Sequence, residues 1–305
     1  MVQYVRQRGS ALVLVLISLA LITSSLIGLF AMMDYQIDKE VEESHRFRAY
    51  QLALTGISYG SHPDIEPDSP LLTQTFGPGE TLKVEKKSEN TRIPINTFLV
   101  GGKKETFTRL FELWGLDIQD AVTLVERLSD WVDIDDLKQL NGAERIDYVR
   151  IGRSGQPRNG AFTSLNEIRY VLGMETLDEL KEGWLDSFTL WSDGTLDLSQ
   201  SDAEPISAVL DVPLSTAEAF IQYRDGRDGI NNTDDDVVFQ SALQALSNLG
   251  LNGQKQNEAL SLVSLEASQF RVTSIATVGS TTYRMEIIVN GSGENTGSSL
   301  IWIKP

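Results

Sequence analysis

The chain has no cysteine among its 305 residues. That excludes disulfides, Zn–thiolate sites, Fe–S clusters and thiol nucleophiles together. Its only histidines are His45 and His62, too few for a multi-histidine zinc or iron site. Basic residues are also scarce, 26 Lys and Arg against 43 Asp and Glu, for a formal charge of −17. So acidic a chain repels phosphate backbones, and no nucleic-acid partner is expected. A hydrolase needs a nucleophile–base pair, and both histidines sit near the N-terminal helix; no two carboxylates stand out at catalytic separation, so no enzyme is expected. What is present is globular composition, 41% hydrophobic and 23% charged, in a length that suits two domains.

No charged residue lies between Arg8 and Asp34. As a helix, positions 9–33 reach about 37 Å, enough for the roughly 30 Å hydrocarbon layer. Arg6 and Arg8 precede the run, and Asp34 and Asp38 follow it. The positive-inside rule therefore places the first residues in the cytoplasm and the remainder outside. A secretory signal peptide has a shorter apolar core and a small-residue cleavage site, and no A-x-A pattern closes this run. A plain signal anchor and a cleaved leader both stay open. The segment RQRGSALVLVLISLALI (Arg6–Ile22) resembles a prepilin-type leader. That resemblance implies cleavage between Gly9 and Ser10, methylation of the new terminus, and retention of the helix. Pilins mostly carry Glu at the fifth mature position, where this chain has Leu14. A carboxylate in lipid is costly unless paired. A subunit with no neighbour ahead has no terminal amine to pair it with, so Leu14 fits a tip subunit; it fits a chance hydrophobe equally well.

From Asp34 to Tyr59 there is no proline and one glycine, Gly56, so the helix is expected to continue. Phe47, Tyr50, Leu54 and Ile57 fall at helical spacing and predict a core-facing stripe. Two prolines in Ser61–Pro67 end it. At the other end, Phe270, Val272, Ala276 and Val278, then Tyr283, Met285, Ile287 and Val289, alternate with polar residues. This predicts a hairpin with one buried face. Thr81–Lys87 is a candidate third strand, Asn290–Gly297 a polar loop, and Leu300–Ile303 a final strand.

The middle contains an internal repeat. Leu113–Asp130 aligns without gaps to Val209–Gly226, and Gly160–Met174 aligns to Val237–Leu251. Each copy opens with a small strand-like motif, Ile93-Pro94-Ile95-Asn96 and Leu196-Asp197-Leu198-Ser199. The unit reads as strand, helix, turn, helix, variable loop, helix and a Leu-Gly-hydrophobe turn. Such units resemble helix-hairpin-helix modules, which hold DNA phosphates through hairpin N–H groups. Here the turns are Gly115-Leu116-Asp117 and Asp211-Val212-Pro213. Each puts an Asp where the anion would sit, and Pro213 lacks the N–H. A helical interaction platform is the expectation.

The site candidates are two acidic loops. One runs from Asp225 through Asp228 and Asn231 to Asp234, Asp235 and Asp236; its counterpart holds Asp130, Asp133, Asp135 and Asp136. Oxygen-rich loops with glycines at the bends suit Ca²⁺. No Glu closes an EF-hand spacing, and a solvated turn is an equal reading. For calcium the first choices are Asp225, Asp228, Asp235 and Asp236, with Asp234 able to replace any one, in a structural role.

Taken whole, the chain resembles the general secretion pathway protein K family, the K-type minor pseudopilins of type II secretion. The resemblance rests on RQRG-SALVL, FRAYQLALTG (Phe47–Gly56), the IPIN motif, LSDWVDIDDLKQLNGAE (Leu128–Glu144), NGAFTSLNEIRYVLGM (Asn159–Met174), RDGINNTDDDVVFQS (Arg227–Ser241) and the closing strands. It implies an α+β fold: a long N-terminal helix on a small antiparallel sheet, pilin-like, with a large inserted all-α domain of two helix-hairpin-helix-like repeats. The expected division is a leader at 1–9, a transmembrane helix at 10–33, a pilin-like body at 34–92 and 265–305, and repeats at 93–192 and 193–264. It implies a tip complex with other minor pseudopilins, contact with the major pseudopilin, processing by a prepilin peptidase, bound calcium, and a single pass through a bacterial inner membrane with the C-terminal part in the periplasm. A minor pilin of a type IV pilus, acting in adhesion or DNA uptake, is the alternative. The segment Asp64–Gly79 matches no part of the family pattern.

Overall fold

A computed structural model describes residues 10–62, 64–65, 69–290 and 301–303. The leader with Gly9 and most of the polar loop after Asn290 lie outside them. The chain opens with α1 (Ser10–Ser61), β1 (Thr73–Gly77) and β2 (Glu80–Ser88). An insert comes next: β3 (Ile93–Pro94), α2 (Ile95–Val100), α3 (Lys104–Leu113), α4 (Ile118–Val132), α5 (Arg145–Arg150), α6 (Leu177–Leu180) and β4 (Phe188–Thr189). It continues with β5 (Leu196–Asp197), α7 (Ala203–Leu210), α8 (Leu214–Arg224), α9 (Ala242–Asn248), α10 (Gly253–Ala259) and β6 (Val263–Ser264). Then come β7 (Gln269–Val278), β8 (Thr281–Asn290) and β9 (Ile301–Ile303).

α1 is one uninterrupted helix of 52 residues, about 78 Å long. Only its last third lies on protein. There it covers an antiparallel sheet of order β1-β2-β7-β8-β9, so the fold is the pilin-like α+β arrangement. The alternation of the C-terminal hairpin sets the buried face: Val272 opposes Ile287, Ser274 opposes Met285, and Leu82 opposes Ala276. The helix meets this face differently from the expected stripe. Phe47 is 65% exposed and Tyr50 37%, with Tyr50 edge-on to Tyr283. Of the expected stripe Ile57 is buried and Leu54 half-buried against the sheet; the other sheet-facing residues are Ala49, Ala53, Gly56 and Gly60. A Cβ on Gly56 would run into Ser274, Leu82 and Val84, and one on Gly60 into Val272. The helix axis therefore comes closer than bulky side chains permit. β1, which no sequence pattern signalled, forms the edge strand within the unassigned 64–79 stretch.

The insert forms a second hydrophobic core, running from Ile93 to Val263, that shares no residue with the first among the described residues. Both repeats feed this one core. Each is closed by a two-residue parallel pair, β3 with β4 and β5 with β6. The repeat alignment is visible in the backbone. Gly115 and its counterpart Asp211 both have positive φ, 99° and 54°, at the ends of α3 and α7. Gly173 and Gly250 do the same, at 89° and 77°. Ser164 and Ser241 both cap the helical turn after them, accepting from the Asn166 and Gln244 amides. Two expectations need correction. The third helix of the first copy is a 3₁₀ stretch, Leu165–Tyr170. In the opening motif only Ile93–Pro94 pairs as strand, because Ile95 and Asn96 already begin α2.

Candidate functional site

Whether phosphate can bind is decided at the hairpin turns. Asp117 caps α4 by accepting from the Gln119 amide at 2.9 Å. The Leu116 N–H donates to Phe111 O at 3.0 Å, and the Val212 N–H to Ser207 O at 3.3 Å. Asp211 lies 3.7 Å from Arg109. The Leu116 and Val212 amides are thus engaged within the protein.

In the second acidic loop the four chosen aspartates fall into two groups. Asp225 is buried at the C-terminus of α8. Its carboxylate accepts from Arg224 Nε at 2.6 Å and from Asn231 Nδ2 at 3.1 Å, and Arg224 also donates to Leu198 O and Ser201 O. Asp225 thus ties the loop to its own repeat and stands apart from the other three. Asp228, Asp235 and Asp236 gather around the Thr233 hydroxyl, whose oxygen is 3.4, 2.9 and 3.4 Å from their Oδ1 atoms and 3.1 Å from Ile230 O. One hydroxyl proton cannot serve four acceptors, so the loop holds surplus negative oxygens of the kind calcium takes. Gly226 is required here: at φ 67°, a Cβ would sit 2.6 Å from Asp235 O. The Arg227 amide, foremost, and the Thr233 hydroxyl hold the Asp235 carboxyl below its usual range. Asp234 is exposed.

The first loop is more strained electrostatically. Asp130 is fully buried in the last turn of α4, accepting from the Gln139 amide. Burial pushes its carboxyl up. Asp133 is pushed up to about 6, by burial first and then by Asp130 and Asp135. Glu144 is pushed up to about 7, by burial first and then by Asp130 and Asp133. Asp133 Oδ1 and both carboxylate oxygens of Glu144 are buried without a hydrogen-bond partner. Buried carboxylates that repel one another and lack donors are what a cation neutralises. Sequence reasoning missed Glu144 as a loop carboxylate, since it lies beyond the Asp130–Asp136 run; the signal was Gly142, where a Cβ would collide with the Asp130 carboxylate. Donor chemistry in both loops fits calcium, yet among the described residues no three acidic or histidine side chains converge into a finished cage. Ile134, Leu137 and Leu140, on the same loop, are exposed.

His45 packs against Gly279, and the exposed His62 faces Asp64; neither joins the loops. The first two-thirds of α1 is apolar and exposed from Leu12 to Phe30, and largely charged and exposed from Asp34 to Ser44. It is long and apolar enough to cross a membrane.

Comparison with known proteins gives a consistent result. A family model described as type II secretion system (T2SS), protein K matches residues 97–180. The type II secretion system protein K of Pseudomonas aeruginosa is 25% identical over 257 residues, covering 75% of each chain. Its counterpart in Dickeya chrysanthemi is 29% identical over 159 residues, half of this chain and 42% of that one. Among solved structures, a chain of the GspK-GspI-GspJ complex from the enterotoxigenic Escherichia coli type 2 secretion system superposes with a TM-score of 0.60 at 16% identity, over 89% of this chain and 96% of that one.

Proposed function

We propose that this chain is a minor pseudopilin of the type II secretion protein K kind, and that its place is the tip of a secretion pseudopilus. The observation that carries the pseudopilin reading is the shape of the stem. α1 packs on its own sheet only near its end, leaving its length from Leu12 to Ser44 uncovered. Such a surface needs lipid at one stage and neighbouring stems at another. The peptidase cuts between Gly9 and Ser10, and the new terminus is methylated. The stem crosses the inner membrane with its C-terminal part in the periplasm until it is drawn into the filament. Leu14 suits a subunit with no terminal amine ahead of it.

The partners are minor pseudopilins of the kinds that accompany the protein K relative in its solved complex, and the major pseudopilin below them. The insert, with repeats at 93–192 and 193–264, crowns the assembly and acts by binding, without catalysis. Its acidic loops take structural calcium. In the second loop Asp228, Asp235 and Asp236 are the ligands, with Asp225 bracing the loop through Arg224. Asp133 and Glu144 hold a second ion beside Asp130.

N-terminal mass spectrometry of the membrane-extracted protein, with and without the peptidase, tests the stem. The expected mature chain begins at methylated Ser10; a chain still beginning at Met1 with active peptidase present refutes the reading. For calcium, chelation lowers the melting temperature, and Asp228→Ala with Glu144→Gln abolishes that shift. A melting curve indifferent to chelator refutes it.

A further inference from the structure

The insert is joined to the body by only two covalent passages, 88–93 and 264–269. Two tethers side by side make a hinge. No shared apolar core stiffens it, since the two cores are distinct among the described residues. Between them lies a polar cleft of about 490 Å³, walled by Lys87, Arg92, Lys181, Asp186 and Arg284 among others.

One tripeptide crosses this boundary. Ser88, Glu89 and Asn90 are all buried. The Ser88 N–H donates to Gln200 Oε1 at 3.1 Å. Asn90 Nδ2 donates to Asp193 Oδ1 at 2.8 Å and to Thr195 Oγ1 at 3.1 Å, and Ser268 Oγ donates to Asn90 Oδ1 at 3.2 Å. Glu89 is the centre. Its carboxylate accepts from Thr189 Oγ1 at 2.5 Å on the insert side, and from Arg271 at 2.8 and 2.9 Å on the body side. Arg271 also reaches Glu286 on β8 at 3.1 Å and lies over the Trp191 ring at 5.8 Å. The hub thus bonds both tethers and the link between the repeats.

We propose that the Ser88-Glu89-Asn90 hub, centred on the Glu89–Arg271 pair, locks the insert to the pilin-like body so that the two move as one rigid piece. A buried ion pair adds little net stability over apolar packing, because desolvation offsets its attraction. What it does fix is geometry: a bidentate guanidinium–carboxylate pair tolerates little rotation. The consequence for function rests on the pseudopilin reading: stem rotation or displacement reaches the crown without slack. The lock itself holds whether or not the chain is a filament subunit.

The absence of native cysteine makes the test direct. Thr75→Cys on β1 and Asn257→Cys on α10, both exposed, take spin labels in the full chain in detergent, and pulsed electron resonance reads their distance distribution. The parent gives one narrow distance. Glu89→Ala and Arg271→Ala each broaden it about twofold or more while circular dichroism and the melting of both domains persist. An unchanged width in either folded variant overturns the proposal. If neither variant folds, Asn90→Ala and Gln200→Ala decide by the same criterion, broadening supporting the lock and unchanged width overturning it. N-terminal processing is read separately, so failure of the lock and failure of the pseudopilin reading are distinguishable.

Discussion

Gly56 sits where two effects of opposite sign meet, and their magnitudes predict which wins. In an exposed helix interior, Gly→Ala stabilises by about 1 kcal/mol. At Gly56 the new methyl would lie 2.8 Å from Leu82 Cδ1 and 2.8 Å from Val84 Cγ2, and closer still to the Ser274 hydroxyl. Ser274 can rotate, but Val84 is stiff at χ1 and paired within β2 and β7. Overpacking of this kind costs about 1–3 kcal/mol. Two aliphatic neighbours to displace put the overpacking in the upper part of that range, about 2–3 kcal/mol, and subtracting the propensity gain leaves Gly56→Ala with an expected net loss of about 1–2 kcal/mol. Amide hydrogen exchange along β7 reads this locally, and exchange about 5- to 30-fold faster corresponds to that loss. Ser58→Ala, exposed on the same helix turn, isolates propensity and leaves β7 exchange unchanged or slower. If Gly56→Ala protects β7 as well as the parent does, the close approach of α1 to the sheet is not what selects glycine, and the reasoning fails.

In the first acidic loop, Asp133 and Glu144 have folded pKa values raised to about 6 and about 7. The folded state then holds protons that the unfolded chain releases, so their stabilising contribution is full near pH 4 and lost as pH rises through 6 to 7. Calcium-free protein is expected to melt progressively lower from pH 5 to pH 7.5 in scanning calorimetry, and Glu144→Gln to flatten that slope; a flat parent profile contradicts the burial of Glu144. Asn96 exchanges two hydrogen bonds with the Phe162 backbone, at 2.9 and 2.8 Å. Asn96→Ala leaves both groups unpaired inside the first repeat and should cost about 2–3 kcal/mol by denaturant melting, whereas a loss under about 0.5 kcal/mol would mean water replaces the bonds. Gly115 and Asp211 hold the same left-handed position. Gly115→Ala should destabilise by about 1 kcal/mol, while Asp211→Gly should be close to neutral, backbone relief offsetting the lost Arg109 pair; equal effects at the two positions would break the repeat equivalence.

What the sequence made legible is what short-range periodicity and spacing encode. The alternation from Phe270 to Val289 gave the right inward face, and the block spacing located turns that the backbone renders alike at Gly115 and Asp211. The stem was legible from charge absence alone. What escaped depended on distance along the chain. Helical spacing ranks Phe47 and Tyr50 as core because they are large, yet Gly56 and Gly60 face the sheet because Ser274, Leu82, Val84 and Val272 beneath them leave no room for a Cβ, a fact partly written some 200 residues away. Asp133 and Glu144 belong to one charge cluster only after Gly142 lets the chain fold over Asp130. The separation of Asp225 from its three neighbours was invisible, because Arg224 reads as an ordinary surface cation until its burial is known.

The sheet register explains how so large an insert is accommodated. Ser88 and Phe270 are direct partners across β2 and β7, and the pairing runs from there to Glu80 and Val278. Topologically, everything from 89 to 269 is the loop of a hairpin between adjacent antiparallel strands. Closing a longer loop is cheap, about 0.6 kcal/mol for each doubling in length, provided the added chain folds on its own core, as residues from Ile93 to Val263 do. The body therefore keeps a complete helix-on-sheet fold whatever the loop contains. That leaves orientation as the one property closure does not specify, because a hairpin loop with its own core is free to swing about its paired ends. Glu89 and Arg271 each sit next to one of those ends. A buried carboxylate–guanidinium pair placed there acts on the swing itself, which is where a device that fixes orientation has the most leverage.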